Sequence, residues 1–319
     1  MRWEDLEQSS NVEDRRGEEG YAGGGGGFGL PIGGGGMGIG TIILIALVGW
    51  GVFGINPLVL LGLLSGGGGY QQPYQQPYQQ PYRPNAEARR TGSPSDEIGG
   101  FVSRVLGGTE AVWKDVFTKD GQTYRPPILV LYREVTDGRC GGEARSAMGP
   151  FYCPVDQKIY LDTSFFREIE SRFRGCEGKA CQFSQAYVIA HEVGHHVQNL
   201  LGILPKVNRE QRAMDRTEAN RLQVRVELQA DCLAGVWANR ENQREKDRGR
   251  PAFIEPGDIE AALQTAAAIG DDTLQRKATG RVVPDSFTHG SSEQRQRWFE
   301  AGYQQGAVAA CDTFKAARL

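Results

Sequence analysis

The chain contains four histidines, and three of them lie within six residues. His191 and His195 are four residues apart in the segment 185–201, QAYVIAHEVGHHVQNLL, whose apolar residues recur at helical spacing. A spacing of four places both imidazoles on one helix face, one turn apart, so a single helix can donate two nitrogen ligands to one Zn²⁺. Glu192 follows the first histidine, and its carboxylate can take a proton from a zinc-activated water.

A catalytic zinc site needs a third protein ligand and leaves its fourth position open to water. Positions 198 and 201 are Gln198 and Leu201, which excludes a third histidine on the same helix. In the segment 221–237, RLQVRVELQADCLAGVW, Glu227 and Asp231 are four residues apart on one helix face. We predict Glu227 as the third metal ligand and Asp231 as the hydrogen-bond partner that orients a ligating histidine. The alternative interpretation is a solvated acidic face on a charge-rich helix.

The fourth histidine, His289, lies in the block THGSSEQR. One interpretation is that His289 hydrogen-bonds a tetrahedral reaction intermediate. The other is that His289 is structural and precedes a helix that Ser291 begins with a capping box. Arg295 either anchors this block to a carboxylate or is solvated. His196 is expected to pack or to face solvent.

The motifs together resemble known peptidases. HEVGHH followed by ELQADCLAG is similar to the HExxH…ExxxD pattern of the gluzincin peptidases. More closely, the chain resembles the bacterial neutral zinc metallopeptidase family. Members of that family open with a segment like MRWEDLEQSSNVEDRRG, carry one membrane span and end with a block like THGSSEQRQRWFEAG. The resemblance covers nearly the whole chain and implies a zincin-like peptidase domain, whereas the QQPY tract is not expected of the family.

The N-terminal part of the chain differs in composition from the rest. Residues 1–37 are charged and then glycine-rich, which predicts a disordered tail. Residues 38–64, GIGTIILIALVGWGVFGINPLVLLGLL, carry no charge and predict a transmembrane helix, because a cleaved signal peptide would have a shorter apolar core. Residues 65–95 contain three QQPY repeats and predict an extended linker. The enzyme domain is expected over residues 96–319.

Basic residues and cysteines both predict the orientation of this span. Arg2, Arg15 and Arg16 precede it, and no Lys or Arg follows before Arg83, so the positive-inside rule puts the N-terminus in the cytoplasm. All six cysteines lie beyond the apolar stretch, and disulfides in an oxidising compartment explain this better than six buried thiols. The domain from residue 96 onward is therefore expected to be extracytoplasmic.

Spacing along the chain predicts which cysteines pair. The pairs Cys140–Cys153 and Cys176–Cys181 are close in sequence, and elimination leaves Cys232–Cys311 as the third bridge. Six cysteines permit 15 connectivities in all.

Residues 96–319 predict an α+β fold with a small antiparallel sheet and a mostly helical body. A strand is predicted over residues 127–134, and a hairpin over 150–153 and 158–161, whereas nearly everything beyond residue 163 has helical patterns. Residues 147–152 are at the place where zincins have an edge strand, to which an extended peptide could add. The helices predicted before the sheet cover residues 96–105 and 109–117.

The net charge of −3 does not indicate the excess of basic residues that is typical of proteins that bind nucleic acid. The first functional hypothesis is a membrane-anchored zinc endopeptidase that acts on peptides or proteins. The second is a membrane-anchored scaffold with a vestigial or structural zinc site. Glu192 favours the first hypothesis, since a structural site has no use for a carboxylate placed to activate water.

Overall fold

The computed structural model describes residues 1–18, 91–140, 142–171 and 179–319. These residues belong to one compact unit. The predicted transmembrane helix, 38–64, and most of the predicted linker lie outside the described residues. Within the described part of the chain, no helix is both long enough and apolar enough to span a bilayer.

All described strands precede residue 163, and the elements beyond it are helices. The strands are β1 (Val12–Asp14), β2 (Thr91–Gly92), β3 (Ile128–Tyr132), β4 (Val135–Gly138), β5 (Gly142–Arg145), β6 (Phe151–Cys153) and β7 (Lys158–Asp162). The helices are α1 (Glu97–Lys119), α2 (Ser164–Ser171), α3 (Ala180–Leu200), α4 (Ile203–Gln211), α5 (Arg216–Asp247), α6 (Asp258–Ala268), α7 (Asp271–Thr279) and α8 (Ser292–Gln305). This mixed, mostly helical architecture confirms the predicted α+β class, and α1 is one helix where two were predicted.

Five strands form the main sheet in the order β2–β1–β3–β7–β6. β1 is parallel to β3 and β3 is parallel to β7, whereas β2 and β6 are antiparallel to their neighbours. The sheet is therefore mixed, and the prediction of an antiparallel sheet is wrong in this respect. The sequence pattern missed β1 because that strand lies in the segment interpreted as a tail. The predicted hairpin is confirmed as β6 and β7, and β6 lies at the edge of the sheet.

The first 18 residues are part of the folded unit. Their buried apolar side chains are Met1, Leu6 and Val12. Where this segment crosses α1, a Cβ added at Gly107 would collide with the backbone carbonyl of Glu7. Glycine inside a helix costs about 1 kcal/mol relative to alanine, and the close approach of the two backbones explains its presence. The expectation of disorder is wrong for residues 1–18, and residues 19–37 lie outside the described ranges.

The same packing contradicts the predicted orientation of the N-terminus. That prediction put the N-terminus and the domain from residue 96 onward on opposite sides of a membrane. β1 lies inside the sheet, hydrogen-bonded to β2 on one side and to β3 on the other. Residues 1–18 therefore cannot be on the far side of a bilayer without removing an interior strand from the domain.

Helices α3, α5 and α8 form the centre of the helical body, with α5 packed against both of the others. The apolar stripe predicted on α3 is buried at Ile189, Val193 and Val197. Buried aromatic rings fill the space around these helices; they include Phe183, Tyr187, Trp237 and Phe299. This packing fixes the positions of the two helices that carry the candidate ligands.

Two of the three predicted disulfides are present. Cys140 bonds Cys153 at the hairpin, and Cys232 on α5 bonds Cys311 near the C-terminus. Cys181 is also disulfide-bonded. Its predicted partner, Cys176, lies outside the described residues.

Candidate metal centre

Two neighbouring helices bring the three predicted ligands together. α3 carries His191 and His195, and α5 carries Glu227. The Oε2 atom of Glu227 lies 3.3 Å from Nε2 of His191 and 3.5 Å from Nε2 of His195. The two helices approach closely because Gly194 has no side chain: a Cβ there would lie 3.0 Å from the carbonyl oxygen of Ala230.

The separations of these atoms suit a tetrahedral zinc ion. Zinc–nitrogen and zinc–oxygen bonds of about 2.0–2.2 Å place two corners of the tetrahedron about 3.4 Å apart. His191, His195 and Glu227 each offer one ligand atom, all within 4.8 Å of one another. Two imidazoles and one carboxylate, with a fourth position for water, form a donor set typical of catalytic zinc. The cluster can therefore hold a metal ion of this kind.

Asp231 contacts His191 on the side of the imidazole ring that faces away from Glu227. Its Oδ1 lies 2.8 Å from Nδ1 of His191, which leaves Nε2 facing Glu227. Asp231 also accepts a hydrogen bond of 2.6 Å from the Tyr187 hydroxyl and two of 2.9 Å from Arg295. Arg295 is thus buried and anchored to a carboxylate, the first of its two sequence-based alternatives. Tyr187 was missed by the sequence reasoning, although it lies one turn before His191 on the same face.

A chain of side-chain amides holds His195, and the sequence reasoning missed this chain as well. Oε1 of Gln198 lies 2.9 Å from Nδ1 of His195. The Gln198 amide donates to the carbonyl of Val226 at 2.8 Å and to Oε1 of Gln229 at 3.0 Å. Gln229 in turn donates to the carbonyl of Cys311 at 2.9 Å. The available signal was the position of Gln198, three residues after a ligand on the same helix face.

Burial and neighbouring charges act in opposite directions on the ligand pKa values. Burial lowers the pKa of His191, but the Asp231 carboxylate and the hydrogen bond to Glu227 outweigh it and raise the value to about 10. Burial also lowers the pKa of His195, which Glu227 raises on balance. Burial raises the pKa of Glu227, yet the two imidazoles hold it well below its usual range. A metal ion must therefore displace protons from the histidines, and its affinity falls as the pH falls.

The candidate ligands lie on the wall of a cavity of about 590 Å³. Glu192 lines the same cavity, and its side chain is largely buried. The edge strand β6 contributes Phe151 and Tyr152 to the wall, and the C-terminal region contributes His289 and Arg295. Glu192 therefore lines the same cavity as the metal cluster, as a base that acts on a reacting water must.

Asp271, at the start of α7, holds His289 at this cavity. Its Oδ2 accepts hydrogen bonds from the backbone N–H groups of Thr288, His289 and Gly290, at 2.7, 2.6 and 3.1 Å. Its Oδ1 lies 3.3 Å from Nδ1 of His289. The Asp271 hydrogen bond raises the pKa of His289, whose side chain is about half exposed. The capping box predicted at Ser291 is present, and the role of His289 toward a reaction intermediate stays a prediction.

His196 packs inside the domain, which is one of its two expected positions. Its Nε2 lies 2.6 Å from the carbonyl oxygen of Arg125, and its Nδ1 lies 3.0 Å from the Tyr152 hydroxyl. Asn199 donates to the same hydroxyl at 3.0 Å. The residues that follow His195 on α3 therefore tie the ligand helix to the edge strand of the sheet.

Fold and site together define a protein in which an HExxH motif and a glutamate from a second helix form a cluster that could hold a metal ion. The family described as "Putative neutral zinc metallopeptidase" matches residues 1–314, and the chain belongs to this family. Uncharacterized protein YpfJ of Escherichia coli (strain K12) is 45% identical over 316 residues, which are 98% of this chain and 99% of the relative. Uncharacterized protein Rv2575 of Mycobacterium tuberculosis (strain ATCC 25618 / H37Rv) is 42% identical over 268 residues, 82% and 86% of the two chains. Comparison with solved structures yields no match.

Proposed function

We propose that the chain is a zinc-dependent endopeptidase with His191, His195 and Glu227 as its metal ligands. The observation that carries this proposal is the convergence of the three ligand atoms in a cavity that Glu192 also lines. Bound there, Zn²⁺ would supply a Lewis acid and lower the pKa of a water molecule.

The protein's own groups perform the proton transfers in this scheme. Glu192 takes a proton from the attacking water as a general base and then gives a proton to the leaving amine as a general acid. Asp231 and Gln198 keep both ligand histidines in the tautomer whose Nε2 faces the cluster. His289, with its Nδ1 engaged by Asp271, presents its other ring nitrogen as the donor for the charge that develops on the substrate carbonyl oxygen.

The substrate in this proposal is an extended peptide. Among the described strands, β6 pairs with β7 alone, so its other edge could pair with an extended peptide. Residues at and just before this strand, Met148 to Phe151, line the cavity. Apolar side chains form much of the remaining wall: Phe165, Val188, Leu204, Val226, Ile269 and Leu274. An apolar substrate side chain beside the cleaved bond is the best match to this lining.

A scaffold with a structural zinc site is the second candidate. Structural zinc sites fill all four positions with protein ligands. Among the described residues, the cluster contains three candidate ligands and opens onto a cavity. This arrangement supports the peptidase over the scaffold.

The membrane part of the proposal rests on the sequence of residues 38–64. The disulfides Cys140–Cys153 and Cys232–Cys311 support an oxidising, extracytoplasmic location for the folded unit. We include attachment to a membrane through the apolar stretch as part of the proposed function.

A library of diverse peptides tests the activity. The purified chain is expected to cleave peptides internally, with a preference for apolar side chains at the cleaved bond. A chelator is expected to abolish cleavage, and added zinc to restore it. Cleavage that persists in the chelator after metal removal has been verified would contradict the proposal.

A further inference from the structure

The stretch between residues 18 and 91 leaves the sheet and returns to it at two neighbouring strands. β1 and β2 are antiparallel, with Val12 opposite Gly92 and Glu13 opposite Thr91. On its other side, β1 pairs with β3 over all three of its residues. The two ends of the stretch therefore come from adjacent strands of one folded unit.

Packing outside the sheet also fixes the N-terminal segment to the domain. The amino group of Met1 lies 2.8 Å from the Asp258 carboxylate at the start of α6. The side chain of Ser9 donates a hydrogen bond of 2.6 Å to Glu110 on α1. These contacts and the burial of Leu6 place the whole segment on one body with residues 91–319.

The arginines that determined the predicted membrane orientation are engaged in this packing. Arg15 is buried and pairs with Glu13 and Asp137. Arg16 pairs with Asp14 and with Asp96, the N-cap of α1. The charges of these two guanidinium groups are compensated by carboxylates within the fold. They are therefore not available to keep the flank of a neighbouring apolar segment in the cytoplasm. Arg2, which is more exposed, lies 3.8 Å from Glu255.

We propose that residues 1–18 and 91–319 lie on the same, extracytoplasmic side of the membrane. This inference rests on the membrane attachment proposed above, and it is incompatible with a single crossing of the membrane between residues 18 and 91. A chain that starts and ends on one side crosses a bilayer an even number of times or not at all. Two helical crossings need about 40 apolar residues, which the stretch 38–64 does not supply.

Two exposed positions allow the side of each part to be measured in the full chain. Ser10 lies in the N-terminal segment and Gln122 follows α1, and both are exposed. Ser10→Cys and Gln122→Cys are made separately, and the full chain is produced in Escherichia coli. Spheroplasts are treated with a membrane-impermeant polyethylene-glycol maleimide before or after lysis, and labelling is measured by gel shift. The unmodified chain controls for labelling of its own cysteines.

Equal labelling of both variants before lysis is the expected result. Labelling of Gln122→Cys before lysis and of Ser10→Cys only after lysis would overturn the proposal, because it would require a single crossing. Labelling of both variants only after lysis would overturn the extracytoplasmic assignment. Sedimentation of the chain with membranes, and its release by detergent but not by salt, tests the underlying membrane attachment separately.

Discussion

His289 lines the metal cavity, and its Nδ1 lies 3.3 Å from the Asp271 carboxylate; this position predicts a role in the reaction. His289→Phe preserves the ring and removes the hydrogen bond to a developing oxyanion. We expect kcat for peptide cleavage to fall about 10²–10³-fold, with zinc content unchanged. Asp271→Asn is the matched variant, with a smaller loss expected because its amide oxygen can still accept the backbone N–H bonds. A kcat for His289→Phe equal to that of the unmodified chain would assign this histidine to structure alone.

The buried His196 predicts a pH dependence of stability. Burial lowers its pKa from an ordinary 6.5 to about 4 in the folded state. The unfolded chain takes up the proton near pH 6.5 and the folded chain does not, so stability present above pH 6.5 is lost as the pH falls toward 4. Over this pH range the free energy of unfolding is expected to fall by roughly 3 kcal/mol. Urea unfolding of the unmodified chain and of His196→Gln at several pH values measures this change in the free energy of unfolding. The same pH dependence in both chains would show that His196 does not cause the loss.

At the scale of elements, the C-terminal disulfide supports the metal centre through the amide chain. The carbonyl oxygen of Cys311 accepts a hydrogen bond from the Gln229 amide. Gln229 accepts a hydrogen bond from Gln198, whose amide oxygen contacts Nδ1 of His195. Replacing Cys232 and Cys311 together by alanine is expected to reduce stability by roughly 2–5 kcal/mol and to weaken zinc binding. Thermal unfolding and zinc titration measure the two effects.

The other described bridge provides the matched control. Cys140–Cys153 closes a separation of 13 residues at the hairpin, against 79 for Cys232–Cys311. Alanine at both hairpin positions is expected to lower the melting temperature and to leave zinc affinity unchanged. Equal zinc affinities in the two double variants would show that the amide chain does not transmit the effect of the bridge.

Elements whose pattern is local could be predicted from the sequence, and elements that depend on distant partners could not. α3 and α5 follow from apolar periodicity and from ligands spaced by four residues. The hairpin β6–β7 follows from two short apolar runs around a turn. β1 has three residues, VED, and only its pairing with the neighbouring strands makes it a strand. Gln198 could be placed on the ligand face, but its partner Gln229 depends on how two helices cross.

At the scale of the whole molecule, the fold predicts which shortened chains are stable. β1 and β2 are adjacent, so replacing residues 19–90 by a linker of about six residues, each spanning up to about 3.5 Å, should connect them without strain. This chain is expected to fold, to bind zinc and to unfold cooperatively. The fragment 96–319 lacks β1 and β2 and exposes the edge of β3, so it is expected to aggregate or to melt at a lower temperature. Circular dichroism and gel filtration of both chains check this, and equal stability of the two would contradict the structural role of residues 1–18.

The metal content and the peptidase activity of two single variants, measured together, test the central claim most directly. Glu192→Gln removes the base and leaves the ligands, so we predict about one zinc per chain and a loss of activity of about 10²–10⁴-fold. Glu227→Gln removes a ligand, so we predict that zinc and activity are lost together. Activity of Glu192→Gln close to that of the unmodified chain, or full zinc content in Glu227→Gln, would contradict the account.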